Sequence, residues 1–522
     1  MNIARILSEQ TIARGDAPAI IDAHHGRDRV MSFRALQAAA ARFAGQLSRA
    51  GVGRGDTVLI LFPMSAELYA FLIALFRIGA VAMFLDPSTG CEFIARCLRE
   101  NPPRAFFGSV RAHLLRFRVR EFRRIPIFLG TAPLPMTLHL SLSADVPENG
   151  AISETEASDP AIITFTSGST GAPKGAVRTH GFLLAQHRAL ESSLHHRSGT
   201  MDLTTLPVFV LANLASGITS VIPDADMRRP GQIAPSPVLR QLQRFPISTM
   251  AASPAFVSRL AIECRRRGLQ IAGLRHVFMG GAPVFPEDLR DAQLAFPEAE
   301  IVSIYGSTEA EPMAEISLAF ITPDDFEAIA QGRGLLAGRP VASISLRILR
   351  DQWGTPISPL SAHQFQELCL PPEQIGEIAV SGDHVLPGYL HGIGDAENKF
   401  RVDSIIWHRT GDLGGLDRQG RLWLMGRASA TIRDERGTLY PFAVECAARQ
   451  VAGVRRAAVL LIEGRRIMAI EADLRLAEDL VREKLAWARV DEVRFVRAIP
   501  TDRRHNAKID YLELRRILAG SR

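Results

Sequence analysis

The stretch Ile163-Thr-Phe-Thr-Ser-Gly-Ser-Thr-Gly-Ala-Pro-Lys-Gly175 has residue types that suit a polyphosphate. It begins with an apolar, β-prone run and continues with small residues whose backbone a phosphate chain can approach closely. Their N–H groups and hydroxyls can donate hydrogen bonds, and Lys174 adds a positive charge. A Walker A loop has Ser or Thr after its lysine, whereas Gly175 follows Lys174. The stretch therefore predicts a different kind of phosphate-binding loop, with a flexible Ser/Gly linker as the alternative.

Two later stretches combine turn residues with groups that could bind the rest of a nucleotide. In Tyr305-Gly-Ser-Thr-Glu309, the tyrosine ring can stack on a base, and the carboxylate can hold Mg²⁺ beside phosphates. Trp407-His-Arg-Thr-Gly-Asp412 is predicted to place Asp412 in a turn, where its oxygens can accept both hydroxyls of a ribose. Taken alone, each stretch is more typical of an ordinary turn with a solvated acid.

Two isolated cations complete the set. Arg427 follows Gly426 at a predicted junction between domains, and Lys508 ends the stretch Arg504-His-Asn-Ala-Lys508 near the end of the chain. A surface cation and a tail residue are the alternatives. The order and spacing of all these stretches argue against chance, and together they predict a site for a nucleotide and its phosphates.

The surrounding pattern predicts the elements that position these residues. Up to residue 150, helix and strand patterns alternate, which indicates a mostly parallel sheet with helices on its faces. Strands predicted at Leu274–Met279 and Glu300–Tyr305 end in small-residue loops, where ligands gather in parallel sheets. From about Ala337 short β runs dominate, with a hairpin turn near Asp417 to Gly420. After Arg427, about 95 residues alternate strand and helix, as in a small α+β domain.

The composition limits the classes of protein to which this chain can belong. The 522 residues are 47% hydrophobic and 22% charged, which is typical of a large globular protein. The net charge of +6 includes no long Lys/Arg run, so a nucleic-acid surface is not expected, and an anionic small substrate is compatible. The five cysteines lack Cys-x-x-Cys spacing and are predicted to be buried thiols of a cytoplasmic protein. Leu68 to Leu85 is read as a buried helix and strand, so no transmembrane segment is predicted.

In this combination the sequence resembles the acyl-adenylate-forming superfamily of acyl-CoA synthetases, peptide-synthetase adenylation domains and luciferases. The resemblance covers nearly the whole chain. It implies an α/β fold with a large N-terminal domain, residues 1–427, of α/β-layered subdomains and a β-rich subdomain. A small mobile α+β lid domain, residues 428–522, would follow. It also implies an enzyme that uses ATP and Mg²⁺ to activate a carboxylic acid as acyl-AMP, with release of pyrophosphate.

The resemblance further implies roles for individual residues. The ATP phosphates would be cradled by Thr166, Ser167, Gly168, Ser169, Thr170, Gly171 and Lys174. The adenine would be enclosed by Gly280, Gly281, Ala282 and Tyr305, with Gly306, Ser307 and Thr308 adjoining them. Mg²⁺ would be bound by Glu309 and Thr170, the ribose by Asp412, and ribose or phosphate by Arg427. Catalysis would depend on Lys508, which reaches in from the small domain, together with Glu309 and Lys174.

Two departures from the common pattern resemble one branch of the superfamily. Acyl-CoA and aryl-CoA ligases commonly have Pro-Leu-Phe-His where this chain has Pro207-Val-Phe-Val210, and a hinge Asp or Lys where it has Ser429. These features, with Gly437-Thr-Leu-Tyr-Pro441, resemble the β-lactone synthetases of bacterial long-chain olefin biosynthesis. Such enzymes activate a 3-hydroxy fatty acid, whose own hydroxyl then closes a four-membered ring without CoA.

Three functions remain open at this point. The first is adenylation followed by lactone closure, and the second is a fatty acyl-CoA or acyl-carrier ligase, which alone would require CoA as a thiol substrate. The third is a non-catalytic ATP-binding relative. The expected partner is a small carboxylic acid, and under the first alternative it is an aliphatic 3-hydroxy acid. Other enzymes of the pathway are further candidate partners.

Overall fold

The structure is a computed structural model that describes residues 2–24, 26–142, 150–167, 173–472, 478–501 and 509–520. The chain divides into two compact units. The first unit comprises Met1–Asp224, Arg240–Thr249 and Asp383–Asp395. The second unit comprises Ala225–Leu239, Met250–Gly382 and Ala396–Arg522.

The first unit combines strands with helices that lie between them in sequence. Its strands are β1 Pro18–His24, β2 Arg27–Ser32, β3 Thr57–Leu61, β4 Val81–Phe84, β5 Ala105–Gly108, β6 Ile127–Gly130, β7 Leu138–His139, β8 Pro160–Ser167, β9 Pro173–Thr179, β10 Met201–Thr204 and β11 Thr219–Val221. Its helices are α1 Ala4–Arg14, α2 Phe33–Arg49, α3 Ala66–Ile78, α4 Cys91–Glu100, α5 Val110–His113, α6 Leu115–Arg118, α7 His180–Ser193 and α8 Pro207–Ala215. Helix α9, Pro235–Arg244, and strand β12, Thr249–Ala252, have residues in both units.

A seven-stranded sheet in the order β7-β6-β5-β3-β4-β8-β9 organises the first unit. All its neighbouring pairs are parallel except β8 and β9, so the predicted mostly parallel sheet is confirmed. Ser32 and Ser65 cap the helices that precede and follow β3 by accepting hydrogen bonds from the backbone three residues on. The predicted helix and strand within Leu68 to Leu85 are α3 and β4, both buried.

A buried polar network attaches helix α8 to two strands. Asn213 Nδ2 donates to Asp202 Oδ2 on β10 at 2.8 Å and to Ser220 Oγ on β11 at 3.1 Å. Thr249 Oγ1 donates to Asp202 Oδ1 at 2.8 Å, and burial raises the pKa of Asp202 to about 6. Pro207 takes the first helical position of α8, which its fixed φ favours.

The second unit is richer in strands. Its strands are β13 His276–Met279, β14 Glu300–Ser307, β15 Ala310–Ser317, β16 Leu335–Pro340, β17 Ser345–Leu349, β18 Gly376–Ser381, β19 Lys399–Val402, β20 Ile405–Leu416, β21 Leu422–Arg427, β22 Ile432–Asp434, β23 Gly437–Leu439, β24 Val454–Ile462, β25 Arg465–Ala472 and β26 Glu492–Phe495. Its helices are α10 Pro254–Arg267, α11 Pro286–Ala295, α12 Pro323–Ala330, α13 Ala362–Leu368, α14 Asp395–Asn398 (which starts in the first unit), α15 Pro441–Arg449, α16 Glu478–Lys484 and α17 Tyr511–Gly520.

Two sheets carry most of the second unit. The part of one sheet that belongs to this unit has the order β12-β13-β14-β15-β16-β21-β20-β18-β17, and the predicted hairpin turn lies between β20 and β21. The other, β24-β25-β26, packs with α15 to α17 in the C-terminal part of the chain. The predicted fold class is confirmed: α/β layers, a β-rich part and a small C-terminal α+β part. The boundary at residue 427 stays a prediction.

The cysteine and membrane predictions have simpler outcomes. Cys97, Cys264 and Cys446 are buried free thiols as predicted, Cys369 is partly buried, and Cys91 is exposed. None of the helices in the part of the chain that the structure describes combines the length and apolar character needed to cross a membrane.

Candidate active site

Lys174 lies near the start of β9, beside the predicted phosphate-binding residues. Strands β8 and β9 pair antiparallel, so that Thr166 stands opposite Lys174 and Ser167 opposite Pro173. The side chain of Lys174 is only 6% exposed. The predicted loop residues between the strands lie outside the described residues: Gly168, Ser169, Thr170 and Gly171.

The segment from Gly388 to Gly394 packs against Lys174, a contact that the sequence reasoning missed. Tyr389 forms an isolated antiparallel bridge with Ala176, and its ring centroid lies 5.7 Å from Lys174 Nζ. Gly394 has φ +97°, and a Cβ added there would lie 2.7 Å from Lys174 Cδ and Cε. The segment thus confines the lysine side chain. The three glycines among its seven residues were the only sequence signal, because they permit close backbone approach.

Tyr305, Asp412 and Arg427 meet in the second unit. The hydroxyl of Tyr305 donates to Asp412 Oδ2 at 2.7 Å, and Arg427 Nε lies 3.1 Å from Asp412 Oδ1. Strands β20 and β21 place Asp412 directly opposite Arg427, while β14 carries the tyrosine. Burial and the adjacent carboxylate raise the pKa of Tyr305 well above its usual value, so its hydroxyl remains a donor.

Asp412 lies within strand β20, so its predicted placement in a turn is wrong. The strand passes through Gly411, which has φ +75°, and continues to Leu416. A Cβ added at Gly411 would lie 3.0 Å from the ring of Trp353. The strand can continue through the Thr-Gly-Asp sequence because glycine tolerates both the positive φ and the close approach of the ring.

Thr410 supports this group, although the sequence reasoning gave it no role. Its Oγ1 accepts a hydrogen bond from the Asp412 N–H at 3.1 Å, and its carbonyl accepts one from Arg427 Nη1 at 3.1 Å. A threonine two residues before the aspartate was the available signal, since its hydroxyl can reach the backbone two residues on. Thr410 therefore holds both charged residues in place.

Glu309 lies in the two-residue connection between β14 and β15. Its Oε2 accepts from Ser307 Oγ at 3.1 Å, and its N–H donates to the same hydroxyl at 3.2 Å. His408 is fully buried, and burial together with the nearby Lys399 cation lowers its pKa to about 3, although the Glu309 charge acts in the opposite direction. His408 is therefore held in its neutral form, and its Nδ1 lies 3.1 Å from the carbonyl oxygen of Asn398.

Gly280, Gly281 and Ala282 follow β13, which pairs in parallel with β14. A Cβ added at Gly280 would lie 3.1 Å from the carbonyl oxygen of Ile304, and Gly281 has φ +80°. This loop therefore runs beside the end of the strand that carries Tyr305, Gly306 and Ser307. The structure brings the predicted adenine-binding residues together.

Lys508 lies outside the described residues, as does all of 502–508. On either side of that range, Thr501 and Ile509 form an antiparallel bridge, and Asp510 N donates to Pro500 O at 2.9 Å. The next residue, Tyr511, donates a hydrogen bond from its hydroxyl to the buried carboxylate of Glu445.

The carboxylate of Asp412 has the acceptor positions that ribose hydroxyls would need. A carboxylate offers about four acceptor positions, and Asp412 uses two of them for Tyr305 and Arg427, which leaves positions for ribose hydroxyls. No cluster of three or more His, Cys, Asp or Glu that could hold a metal occurs among the described residues. Mg²⁺ that travels with ATP needs only one or two protein carboxylates, and Glu309 is of the right type.

Comparison with known proteins identifies the family. The sequence pattern of the AMP-binding enzyme family matches residues 7–390. The chain is 32% identical to the olefin beta-lactone synthetase of Stenotrophomonas maltophilia (strain K279a), over 92% of this chain and 90% of that protein. It is 30% identical to the olefin beta-lactone synthetase of Xanthomonas campestris pv. campestris, with the same coverage.

A solved structure has a similar fold. The solved structure of the amide bond synthetase McbA from Marinactinospora thermotolerans superposes with a TM-score of 0.80 over 99% of both chains, at 23% identity. That likeness concerns the fold, whereas the match over residues 7–390 and the identities of 32% and 30% concern the sequence. The chain therefore belongs to the AMP-binding enzyme family and is an ATP-dependent, AMP-forming acid ligase.

Proposed function

We propose that this enzyme activates an aliphatic 3-hydroxy acid as its acyl-AMP and then closes that intermediate to a β-lactone. The observation that carries the proposal is 32% identity, along nine tenths of both chains, to a protein named olefin beta-lactone synthetase. Val210 in place of the histidine common in CoA ligases, and Ser429 in place of the usual hinge residue, support the same branch.

In the first step the acid carboxylate attacks the α-phosphate of ATP, and pyrophosphate leaves. We assign the β- and γ-phosphates to Lys174 and the residues 166–171. Asp412 would bind the ribose, and Glu309 with Thr170 would hold Mg²⁺, which supplies positive charge at the phosphates when bound. Lys508, carried by a C-terminal domain of residues 428–522, would bring a cation to the same oxygens.

In the second step the 3-hydroxyl oxygen attacks the acyl carbonyl carbon. A C–O bond closes the four-membered ring, the bond between that carbonyl carbon and the AMP oxygen breaks, and the hydroxyl proton is lost to a base. Nucleophile and electrophile belong to one molecule, so proximity supplies much of the rate. The mixed anhydride provides the driving force for closing a strained ring.

Product analysis tests the proposal. The enzyme is incubated with ATP, Mg²⁺ and a 3-hydroxy fatty acid, with and without CoA, and the products are separated by mass. We expect pyrophosphate, AMP and a product lighter than the acid by one water, all formed without CoA.

The matched control substrate is the fatty acid of the same length without the 3-hydroxyl group. It should support pyrophosphate release and accumulate as acyl-AMP, because it lacks the internal nucleophile. A thioester that forms only when CoA is present would replace the lactone proposal by a CoA-ligase assignment.

Gly394→Ala is expected to lower kcat/KM for ATP by about 100-fold, because displacing a catalytic group by about 1 Å costs that much. The added methyl group would meet Lys174 Cδ and Cε at 2.7 Å, so the lysine must move. Steady-state kinetics with varied ATP measure the effect.

Gly392→Ala is the matched control for this substitution. Gly392 also has positive φ, +70°, but its added Cβ would meet only Asp395 Oδ2, at 3.7 Å. Both variants strain the same segment, and only one of them touches the lysine. Equal losses in the two variants would mean that backbone strain, and not the position of Lys174, causes the defect.

A further inference from the structure

The stretch of residues 103–142 carries a charge that the proposed reaction does not use. It contains seven arginines and one acidic residue, Glu121, a formal excess of +6 that equals the net charge of the whole chain. Glu121 itself is engaged, since its Oε1 accepts from Arg99 Nη1 at 2.5 Å. The basic character of this protein is therefore concentrated in one short stretch of the first unit.

The same stretch exposes apolar side chains. It supplies five of the seventeen large apolar residues that are exposed in the described part of the chain: Val110 53%, Leu114 58%, Phe117 78%, Met136 83% and Leu138 43%. Single exposed apolar residues are ordinary, but a cluster of them marks an interaction surface. We call these five residues, with the exposed Arg111, Arg118, Arg120, Arg123 and Arg124, the basic-apolar patch.

Helical spacing aligns part of the patch. Val110, Leu114 and Phe117 are four and three residues apart across α5 and α6, which places them on one face. The opposite side is fixed to the core, because His113 Nε2 lies 3.1 Å from the Leu129 carbonyl oxygen and its ring packs 4.9 Å from that of Phe106.

Arg116 joins the two parts of the patch. Its Nη1 donates to Thr137 Oγ1 at 3.1 Å, and its guanidinium carbon lies 4.4 Å from the ring centroid of Phe128. Thr137 lies between Met136 and Leu138. The α5–α6 segment, which carries Val110, Leu114 and Phe117, therefore lies beside the segment that carries Met136 and Leu138.

We propose that the basic-apolar patch docks this enzyme on an anionic lipid membrane. Charge complementarity favours that partner: arginines attract anionic headgroups, while apolar tips insert at the boundary of the acyl chains. A second copy of the chain would bring two like-charged surfaces together. Nucleic acid would match the arginines but leave the five apolar tips without an apolar partner. The inference does not depend on the lactone proposal.

Vesicle sedimentation of the full chain tests this inference. We expect binding to vesicles of equal parts phosphatidylcholine and phosphatidylglycerol, and little binding to phosphatidylcholine alone. Raised salt should weaken it by screening the arginines. Phe117→Ser should lower the partition coefficient by about tenfold or more, the value of removing one inserted aromatic ring. Arg123→Gln with Arg124→Gln should lower it by about 30-fold, at about 1 kcal/mol for each arginine.

Phe320→Ser is the matched control, because Phe320 is 71% exposed and lies outside the patch. It should bind vesicles as the wild type does, and all variants should retain ATP-dependent pyrophosphate release. Absence of binding to the anionic vesicles, or equal binding by Phe117→Ser and Phe320→Ser, would overturn the proposal. The proposal would also be overturned, in favour of a protein partner, by a third outcome. In it the wild type binds no vesicles but forms a stable complex with another protein, and Phe117→Ser loses that complex.

Discussion

Lys508→Ala is expected to reduce acid-dependent release of pyrophosphate by roughly 100- to 1000-fold, the loss found when one preorganised donor to a developing charge is removed. Two anions must approach each other in this step, and a third must leave. Without the Lys508 cation their repulsion is less compensated in the transition state. ATP binding should persist, because Asp412, Tyr305 and Lys174 are unchanged. A coupled pyrophosphate assay measures turnover, and a fluorescent ATP analogue measures binding.

Lys484→Ala is the control for that variant. Lys484 lies in α16, is exposed, and belongs to the same proposed C-terminal domain. It should leave turnover unchanged, so that a loss in Lys508→Ala reflects position and not net charge. Lys508→Arg, which keeps the cation with a different shape, should recover part of the rate. Full turnover in Lys508→Ala would show that Lys508 takes no part in the reaction, and it would leave the family assignment unchanged.

Glu377→Ala is expected to lower the free energy of unfolding by about 3–5 kcal/mol, since it leaves a buried charge without its partner. Arg409 and Glu377 are 1% and 2% exposed, and Arg409 Nε and Nη2 each donate to the carboxylate at 2.8 Å. Arg409 Nη1 also donates to the Thr355 carbonyl at 2.7 Å. Arg409 lies three residues before Asp412 on β20, so the pair also supports the strand of the candidate site.

Urea unfolding followed by intrinsic fluorescence measures this effect, because all four tryptophans (Trp353, Trp407, Trp423 and Trp487) lie in the second unit. Asp291→Ala provides a control within the same unit. Asp291 pairs with Arg265 at 3.1 Å, and the two side chains are 39% and 61% exposed. Solvent screens such a pair, so its loss should cost less than about 1 kcal/mol. Similar urea concentrations at the unfolding midpoint of the two variants would contradict the conclusion that burial makes the Arg409–Glu377 pair costly to break.

Local sequence was sufficient for many of the elements. At the starts of α2 and α3 the side-chain oxygens of Ser32 and Ser65 accept hydrogen bonds from N–H groups three residues on. The hairpin turn at Asp417 to Gly420 was predicted from turn residues between alternating apolar ones, and Gly420 N donates to Asp417 O. Such features depend on interactions between residues a few positions apart, which the sequence contains directly.

The placement of Asp412 shows where local inference failed. Thr-Gly-Asp is typical of a turn, but strand pairing on both sides holds Asp412 in β20 opposite Arg427. Its hydrogen bond to Tyr305 joins residues 107 positions apart. Sequence patterns predicted that both residues contact a nucleotide. Only the pairing of the strands in the sheet brings them close enough to form a hydrogen bond with each other.

By itself, therefore, the sequence determined the chemistry available to this protein: a small-residue loop with Lys174, an aromatic residue followed by Glu309, and Asp412 with Arg427. Residue type and order are sufficient to determine this chemistry, because they decide which groups can donate a hydrogen bond, accept one or carry a charge. The tertiary structure decided which of those groups meet. Tyr389 and Gly394 confine a lysine more than 200 positions earlier, and Tyr305 donates a hydrogen bond to Asp412, 107 positions later. Contacts of that kind arise from strand pairing and chain reversal over long separations, which no local pattern encodes.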